Sequence, residues 1–494
     1  MLNRENDVGF LDSLFKPRTI AIYGASERSR HFVGGIKNQG FDQDNIYLIN
    51  PKRDELFGLK VYKSMSEIPV NEIDHLIITL GRDKLIPSLK DIFSQKKINT
   101  LHIFAGSLGE FDEEGLKIEK EIKNILDDDK ISTRLIGPNC MGVYAPNYLS
   151  YMKYFPPELG NIALIFQSGD LHTRFIKFGD LRYHLRFSRG VSIGNTIDIQ
   201  ISEILQYLNN EEDTDIIAVY FEGFSNYHPD EGRKLFQILK NMKKPVLFMR
   251  GGETERGQAA VLTHTGTLGT KQKIWDAVYK QSPIIKVPSS LESLLDYTYL
   301  FYMYINKFKK QGKKFEEILY PKGKNSLVIL WSGGFGILAT DVLIKLGLNV
   351  PNFDGEIAEK LRRIYSIKVG SLSNPLDMPY IEMRKEYLEI VKAAISEDID
   401  LIIMQTDTAS NLQSENRIGL YANLLKIKEF VDSQNKVLIL ILYEYPDENR
   451  KKYYDMLTND GFIVYPSIPR AVEAYLALYE YGMKRNTFKT LNKS

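Results

Sequence analysis

The sequence predicts a doubly wound α/β protein of three units, and three observations carry that prediction. Short apolar runs alternate with longer helical patterns along nearly the whole chain, as parallel α/β folds require. Each run ends in a polar or glycine-bearing turn, where a strand hands over to a helix. The second and third units then repeat one order of signals. A length of 494 residues also exceeds what one core supports and suits three domains of ordinary size.

In the first unit, strands are expected at Thr19–Tyr23, Asn45–Ile49, His75–Leu80, Thr100–Phe104 and Arg134–Ile136. The first runs into Gly24-Ala25-Ser26 and a helix, so residues 1–146 read as a Rossmann-type domain. Asn147–Gly160, with Pro156-Pro157, reads as a linker. The unit 158–306 opens with a strand at Asn161–Phe166, then Gln167-Ser168-Gly169 and a helix. Gly194-Asn195-Thr196-Ile197-Asp198, a helix and the strand Asp215–Tyr220 follow. The unit 325–483 repeats this: Ser326–Trp331, Ser332-Gly333-Gly334, a helix, Ser373-Asn374-Pro375-Leu376-Asp377, a helix, then Asp400–Met404. Two copies are too few for a solenoid and indicate two related flavodoxin-like, doubly wound domains. Between them the lysine-rich Lys307–Lys324 reads as a solvated linker in preference to an anion-binding patch, and Lys484–Ser494 as a frayed tail.

Composition narrows the function. Lys plus Arg total 64 against 63 Asp plus Glu, a net charge of +1, so no basic footprint for nucleic acid is expected. Cys140 is the sole cysteine, which excludes an intrachain disulfide, and the seven histidines show no HxxxH or HExxH spacing, so no metal site is expected. The N-terminus lacks the apolar stretch of a secretory signal, and no apolar run approaches a membrane span. A soluble, cytoplasmic protein with no membrane association is expected.

After the strand Pro245–Met249, the segment Arg250–Thr270 loses both periodicities and reads as a glycine- and threonine-rich loop carrying His264. Such a loop brings its backbone close to a ligand, and an imidazole on it suits nucleophilic chemistry near neutral pH. Ser168-Gly169 opens a helix whose free N–H groups suit a phosphate; Ser332-Gly333 offers the same, with plain capping as an equal alternative. Glu222 stands at a strand's C-terminal end, where α/β sites form.

These residues resemble a known family. Thr263-His264-Thr265-Gly266 resembles the S-H-T-G-A-L segment of the ADP-forming acyl-CoA synthetases and, more distantly, G-H-A-G-A of succinyl-CoA synthetase alpha subunits. Pro17–Ser26, Ile49–Lys52 and Leu56–Tyr62 resemble the CoA-binding domain of that superfamily, and Ile136–Gly142 its G-P-N-C-x-G turn. The resemblance spans residues about 15 to 480. It implies that Gly24, Ala25, Ser26, Asn50 and Lys52 hold CoA, with Lys52 at the adenosine ribose or its 3′-phosphate. Asn139 and Cys140 would lie near the CoA thiol, Cys140 without acting as a nucleophile. Ser168, Gly169, Ser332 and Gly333 would bind phosphate, and Glu222 would hydrogen-bond His264.

The implied reaction interconverts acyl-CoA, ADP and phosphate with carboxylic acid, ATP and CoA, through an acyl phosphate and a phosphohistidine at His264. With no ATP-grasp segment recognisable after residue 480, ADP or ATP and its Mg are expected on a separate ATP-grasp beta subunit, in a hetero-oligomer such as α2β2. The chain departs from the family at Phe166, which lacks a hydroxyl, and at Asp170, whose charge would repel a phosphoryl group within ~4–6 Å. Gly81-Arg82 and Glu253 also differ from the family's usual residues. The departures leave open a second reading, a CoA or acyl-CoA sensor that has lost phosphotransfer.

Overall fold

Runs such as Ile162–Phe166 and Val437–Ile441 are apolar and buried at every position, as strands covered by helices on both faces must be. The structure, a computed structural model, describes residues 8–146, 148–149, 154, 156, 158–265, 271–365, 369–379, 386–407, 415–444, 446 and 448–491. The side chains of 148–149, 263–265, 415–420 and 489–491 also fall outside the description. Three sheets form. The chain divides into two compact units, Met1–Thr298 with the first two sheets and Tyr299–Ser494 with the third.

The first sheet has seven strands, with Ile20–Tyr23 paired in parallel between Ile46–Ile49 and Glu72–Ile78. In the second, Leu159–Phe166 lies between Phe187–Ser192 and Ile216–Phe221, and Val246–Arg250 and Ile285–Val287 continue outward. In the third, Ser326–Leu330 lies between Leu376–Asp377 and Leu401–Gln405, with Val437–Ile441 and Ile463–Tyr465 beyond. Numbered by chain order, the parallel strands of both later sheets run 2-1-3-4-5. That shared flavodoxin-like order is the structural form of the internal repeat. Every strand expected from the sequence is present, its ends shifted by a few residues.

Four expectations are corrected. Residues 255–265 are not loop: Glu255–Thr265 is a helix. Thr254 starts it, its Oγ1 accepting the Gly257 N–H at 3.0 Å and its carbonyl the Gln258 N–H at 2.8 Å. Helix-favouring Glu255, Arg256, Gln258, Ala259 and Ala260 then outweigh the glycines and threonines at either end. The expected linker Asn147–Gly160 contains the strand Tyr148–Leu149 and the start of Leu159–Phe166, and the preceding Gly142–Ala145 already pairs antiparallel with Phe187–Ser192. Lys307–Lys310 ends the helix Leu291–Lys310; Lys307 is mostly buried and pairs with Asp432 at 2.7 Å, so this charge belongs to the packing. The tail is helical through Leu491, because Arg485 is buried and donates to the carbonyls of Phe315 and Ile318, both at 3.1 Å.

The two sheets of the first unit are fastened by the motifs the sequence singles out. The N–H groups of Asn195, Ile197 and Ile199 donate to the carbonyls of Pro138, Gly137 and Leu135 at 3.0, 3.3 and 3.1 Å. Arg134 bridges to Asp198 and Glu203, and Asp198 also accepts the Leu135 N–H at 2.7 Å. Gly194 permits the approach: its φ is +55°, and a Cβ there would stand 2.1 Å from the Pro138 carbonyl oxygen. Gly194→Ala is therefore expected to destabilise the first unit by about 3 kcal/mol, read as a lower denaturation midpoint. An unchanged midpoint would show that the clamp carries little of the stability.

Candidate active site

At the switch point of the first sheet, Gly24 takes φ +82°, and a Cβ there would meet Leu80 Cδ2 at 2.4 Å. The N–H groups of Gly24 and Ala25 both donate to the Ile49 carbonyl at 3.0 Å. Asn50 closes this edge, its Nδ2 donating to the Ala25 carbonyl at 2.6 Å while its Oδ1 accepts the Lys52 N–H at 2.8 Å. The side chain of Asn50 is thus a latch between two strand ends, and it sets the direction in which exposed Lys52 leaves the sheet. Ser26 and Ser29 form a capping box on the turn before the helix Arg30–Asn38. Gly24, Ala25, Ser26, Asn50 and Lys52 therefore gather at the C-terminal ends of two adjacent strands.

A second cluster forms where the Gly137–Met141 turn meets the helix Gly169–Tyr183. Ser168 caps that helix, its Oγ accepting the Leu171 N–H at 3.4 Å. A Cβ on Gly169 would lie 2.2 Å from Met141 Cγ, so only glycine lets the turn sit on the helix end. The Met141 N–H donates to Ser192 Oγ at 3.3 Å. Buried Gln167, adjacent to the cap, reaches the neighbouring strand end. Its Oε1 accepts the N–H groups of Glu222 and of Gly223, the latter at 3.0 Å, and its Nε2 donates to the Gly223 carbonyl at 2.9 Å. The carboxylate of Glu222 is buried beside the Tyr220 phenol, whose pKa is raised by burial first and by Glu222 second.

Cys140 is buried, and burial pushes its thiol up to about 12, so it is a thiol and no nucleophile at neutral pH. His102 is lowered to about 4 by burial; the neutral ring donates from Nε2 to the Cys140 carbonyl at 3.0 Å and holds the turn from beneath. Asn139 has φ +55°, and its Nδ2 donates to Asn195 Oδ1 at 3.3 Å.

The backbone of His264 belongs to the helix Glu255–Thr265, and its side chain lies outside the described residues, as do residues 266–270. The expected Glu222–His264 contact therefore falls outside the description. What precedes it is described: Arg250 pairs with Phe221, and Gly251 donates to the Phe221 carbonyl at 2.9 Å, so the chain leaves for this helix beside the strand that leads into Glu222. A Cβ on Gly251 would lie 2.9 Å from the Tyr220 hydroxyl.

Of the departures from the family pattern, Phe166 and Asp170 fall away from this cluster or are paired. Phe166 is fully buried, with ring centroids 5.4 Å from Phe175 and 5.8 Å from His172, so it serves the core and presents nothing to a ligand. Asp170 is exposed and paired with Arg174 at 2.6 Å. In the second unit, Ser332 precedes the helix Gly333–Lys345 without a side-chain cap bond, and Asp377 Oδ2 lies 3.2 Å from where a Gly333 Cβ would be.

Residues 18–146 match the family described as CoA binding domain, and residues 159–301 the family described as succinyl-CoA ligase like flavodoxin domain. The chain is 28% identical to the acetate–CoA ligase (ADP-forming) II subunit alpha of Pyrococcus furiosus, over 95% of this chain and 97% of that one. Along nearly its whole length the chain is similar to the ADP-forming acyl-CoA synthetase family. Within this family, the acetate–CoA ligase (ADP-forming) I of Archaeoglobus fulgidus is 28% identical over 96% of this chain but only 64% of its own length. The fold is shared with the dinucleotide-forming acetyl-coenzyme A synthetase 1 of Ca. Korarchaeum cryptofilum in complex with phosphate and ADP. The TM-score is 0.79 at 23% identity, covering 97% of this chain and 98% of that one.

Sequence reasoning did not foresee the grip of Gln167 on Glu222-Gly223, nor the bond of Asn195 to Asn139. Both join residues more than fifty positions apart. Their only trace in the sequence is membership of the Q-S-G and N-x-x-D motifs. Cys140, 3% exposed, is expected to resist thiol reagents in the native protein at neutral pH and to react on unfolding. Rapid native labelling would show that the turn opens.

Proposed function

We propose that the chain is the alpha subunit of an ADP-forming acyl-CoA synthetase. The observation that carries this reading is the seating of the Asn139–Met141 turn on Gly169, beside the strand end where Gln167 holds Glu222. Residues proposed for the CoA thiol end and for phosphate thus meet in one place. The Pyrococcus furiosus relative is named as an acetate–CoA ligase alpha subunit, and the Ca. Korarchaeum cryptofilum structure contains phosphate and ADP. Both support the assignment.

In the proposed reaction, acyl-CoA lies along Gly24, Ala25, Ser26, Asn50 and Lys52, with its thioester at Asn139 and Cys140. Inorganic phosphate, held at the Ser168-Gly169 helix end, attacks the thioester carbonyl; the C–S bond breaks, and CoA leaves as thiol with the proton lost by phosphate. The imidazole of His264 attacks the phosphorus of the acyl phosphate, the carboxylate leaves, and the phosphoryl group passes to ADP. Helix-end N–H groups stabilise the moving charge without reorganising, while Glu222 fixes the imidazole tautomer. Ser332 and Gly333 offer a second helix end. The nucleotide and its Mg are assigned to an ATP-grasp beta subunit in an assembly such as α2β2. The Archaeoglobus fulgidus relative, of which this chain covers 64%, supports a partner by having length to spare within one chain.

His264→Asn is expected to abolish acyl-CoA-dependent ATP formation by the reconstituted complex while leaving CoA binding intact. The wild type should take a phosphoryl label that is lost in acid and survives base. A saturated complex without label would move the assignment to a CoA sensor. Calorimetry supplies an independent check: Lys52→Ala should weaken CoA and narrow its advantage over dephospho-CoA, and failure of wild type to bind either would refute the CoA assignment.

A further inference from the structure

Behind the Asn139–Cys140 turn lies a buried polar cluster that the proposed chemistry leaves unused. Asn195, buried, donates from Nδ2 to Glu110 Oε2 at 2.7 Å and to Glu119 Oε2 at 3.0 Å, while its Oδ1 accepts from Asn139 Nδ2 at 3.3 Å. Glu119 is 5% exposed and also accepts the Gly109 N–H at 3.4 Å; Glu110 accepts the Leu108 N–H at 3.2 Å. The Tyr227 phenol lies beside Glu119, and burial first and that carboxylate second raise its pKa.

The chemistry of the cluster admits one orientation of Asn195. Glu110 and Glu119 both turn carboxyl oxygens to the amide nitrogen and accept from it. The carbonyl end is then turned toward Asn139, which must offer its own amide nitrogen. Asn139 is bounded on its other side as well: a Cβ on Gly106 would stand 2.8 Å from Asn139 Oδ1. Burying the Glu119 carboxyl beside a neutral amide, with half-buried Glu110 next to it, is costly unless the lone pairs are used, which makes a purely stabilising role an inefficient explanation. A carboxamide at Asn139 hydrogen-bonded at its nitrogen to Asn195 and closely approached at its oxygen by Gly106 is what a site needs in order to present a fixed donor or acceptor to a reacting group.

We propose that Asn195 and Glu119 are positioning residues of the synthetase: they fix the Asn139 carboxamide at the thioester end and couple occupancy of the CoA domain to the ligase domain. The inference rests on the proposed function, since it takes Asn139 to lie beside the thioester. It extends that reading by giving the Gly194–Asp198 motif a part in turnover, through a residue that touches no substrate.

The test uses the full chain with its partner subunit. Wild type must first show acyl-CoA-dependent ATP formation; absence of that activity counts against the proposed function itself. In an active complex, Asn195→Ala and Glu119→Gln are expected to lower kcat by about 100-fold, with the CoA dissociation constant held within about threefold. Gly106→Ala, which crowds Asn139 from the opposite side, should reproduce the kcat loss. Hydrogen exchange reads the coupling without turnover: CoA should protect the amides of residues 194–199 in wild type and fail to do so in Asn195→Ala. Unchanged kcat in the Asn195 and Glu119 variants, or equal CoA protection in wild type and Asn195→Ala, would overturn the proposal. A parallel loss of CoA affinity and of the denaturation midpoint would also overturn it, by marking a structural role only.

Discussion

Everything in the candidate site depends on the ladder between Leu135–Pro138 and Asn195–Ile199. Three backbone hydrogen bonds join the strand end and turn Leu135–Pro138 of the first sheet to a loop of the second, and the same turn continues to Met141, which packs on Gly169 at the Ser168 helix end. Side chains alone would leave this junction free to slide. Backbone pairing sets its register residue by residue, and Gly194 supplies the absence of a Cβ that lets the two chains approach. Arg134 adds direction: its guanidinium is shared between Asp198 and Glu203 with little exposure, and a buried charge network of this kind specifies one arrangement more than it adds stability.

The same dependence explains how Glu222 is held. A carboxylate buried at 5% exposure needs its surroundings fixed, or it would draw in water and neutral partners. Gln167 provides this by bonding to the backbone just past the strand end, with one side chain satisfying two N–H groups and one carbonyl. The helix cap at Ser168 and the Glu222 strand end are therefore fastened to each other, and Gly169 joins them to the clamp through its close approach to Met141.

Much of this was legible in the sequence, and the illegible part has a common cause. Strand positions, the G-P-N-C turn and the duplicated order of motifs are local patterns, and local patterns survive in a linear reading. Burial and pairing are not local. Lys307 sits in a lysine-rich run that reads as solvated until Asp432 closes on it. Phe166 reads as a lost hydroxyl until strand alternation turns its ring into the core among Phe175 and His172. The helix at Glu255–Thr265 was obscured because its ends are rich in glycine and threonine, while its interior is ordinary helix-forming sequence.

The two copies of the repeat also show how one motif comes to serve different ends. Asn374 turns its side chain back into its own domain, accepting from the Val328 N–H at 3.1 Å and donating to the carbonyls of Ser326 and Pro351 at 2.8 and 3.0 Å. Asn195, its counterpart, spends its side chain on Asn139, Glu110 and Glu119 instead. The aspartates diverge in the same way: Asp198 is committed to Arg134 and the Leu135 N–H, whereas Asp377 stands against the N-terminus of the helix Gly333–Lys345. A carboxylate at that position already profits from the helix dipole, so an incoming phosphate at Ser332 would meet like charge. At Ser168 the nearby acidic residue, Asp170, is turned to solvent and paired with Arg174. Of the two helix ends, the one at Ser168 therefore offers its dipole to a phosphate at lower electrostatic cost, and it is also the one that the clamp brings to Asn139.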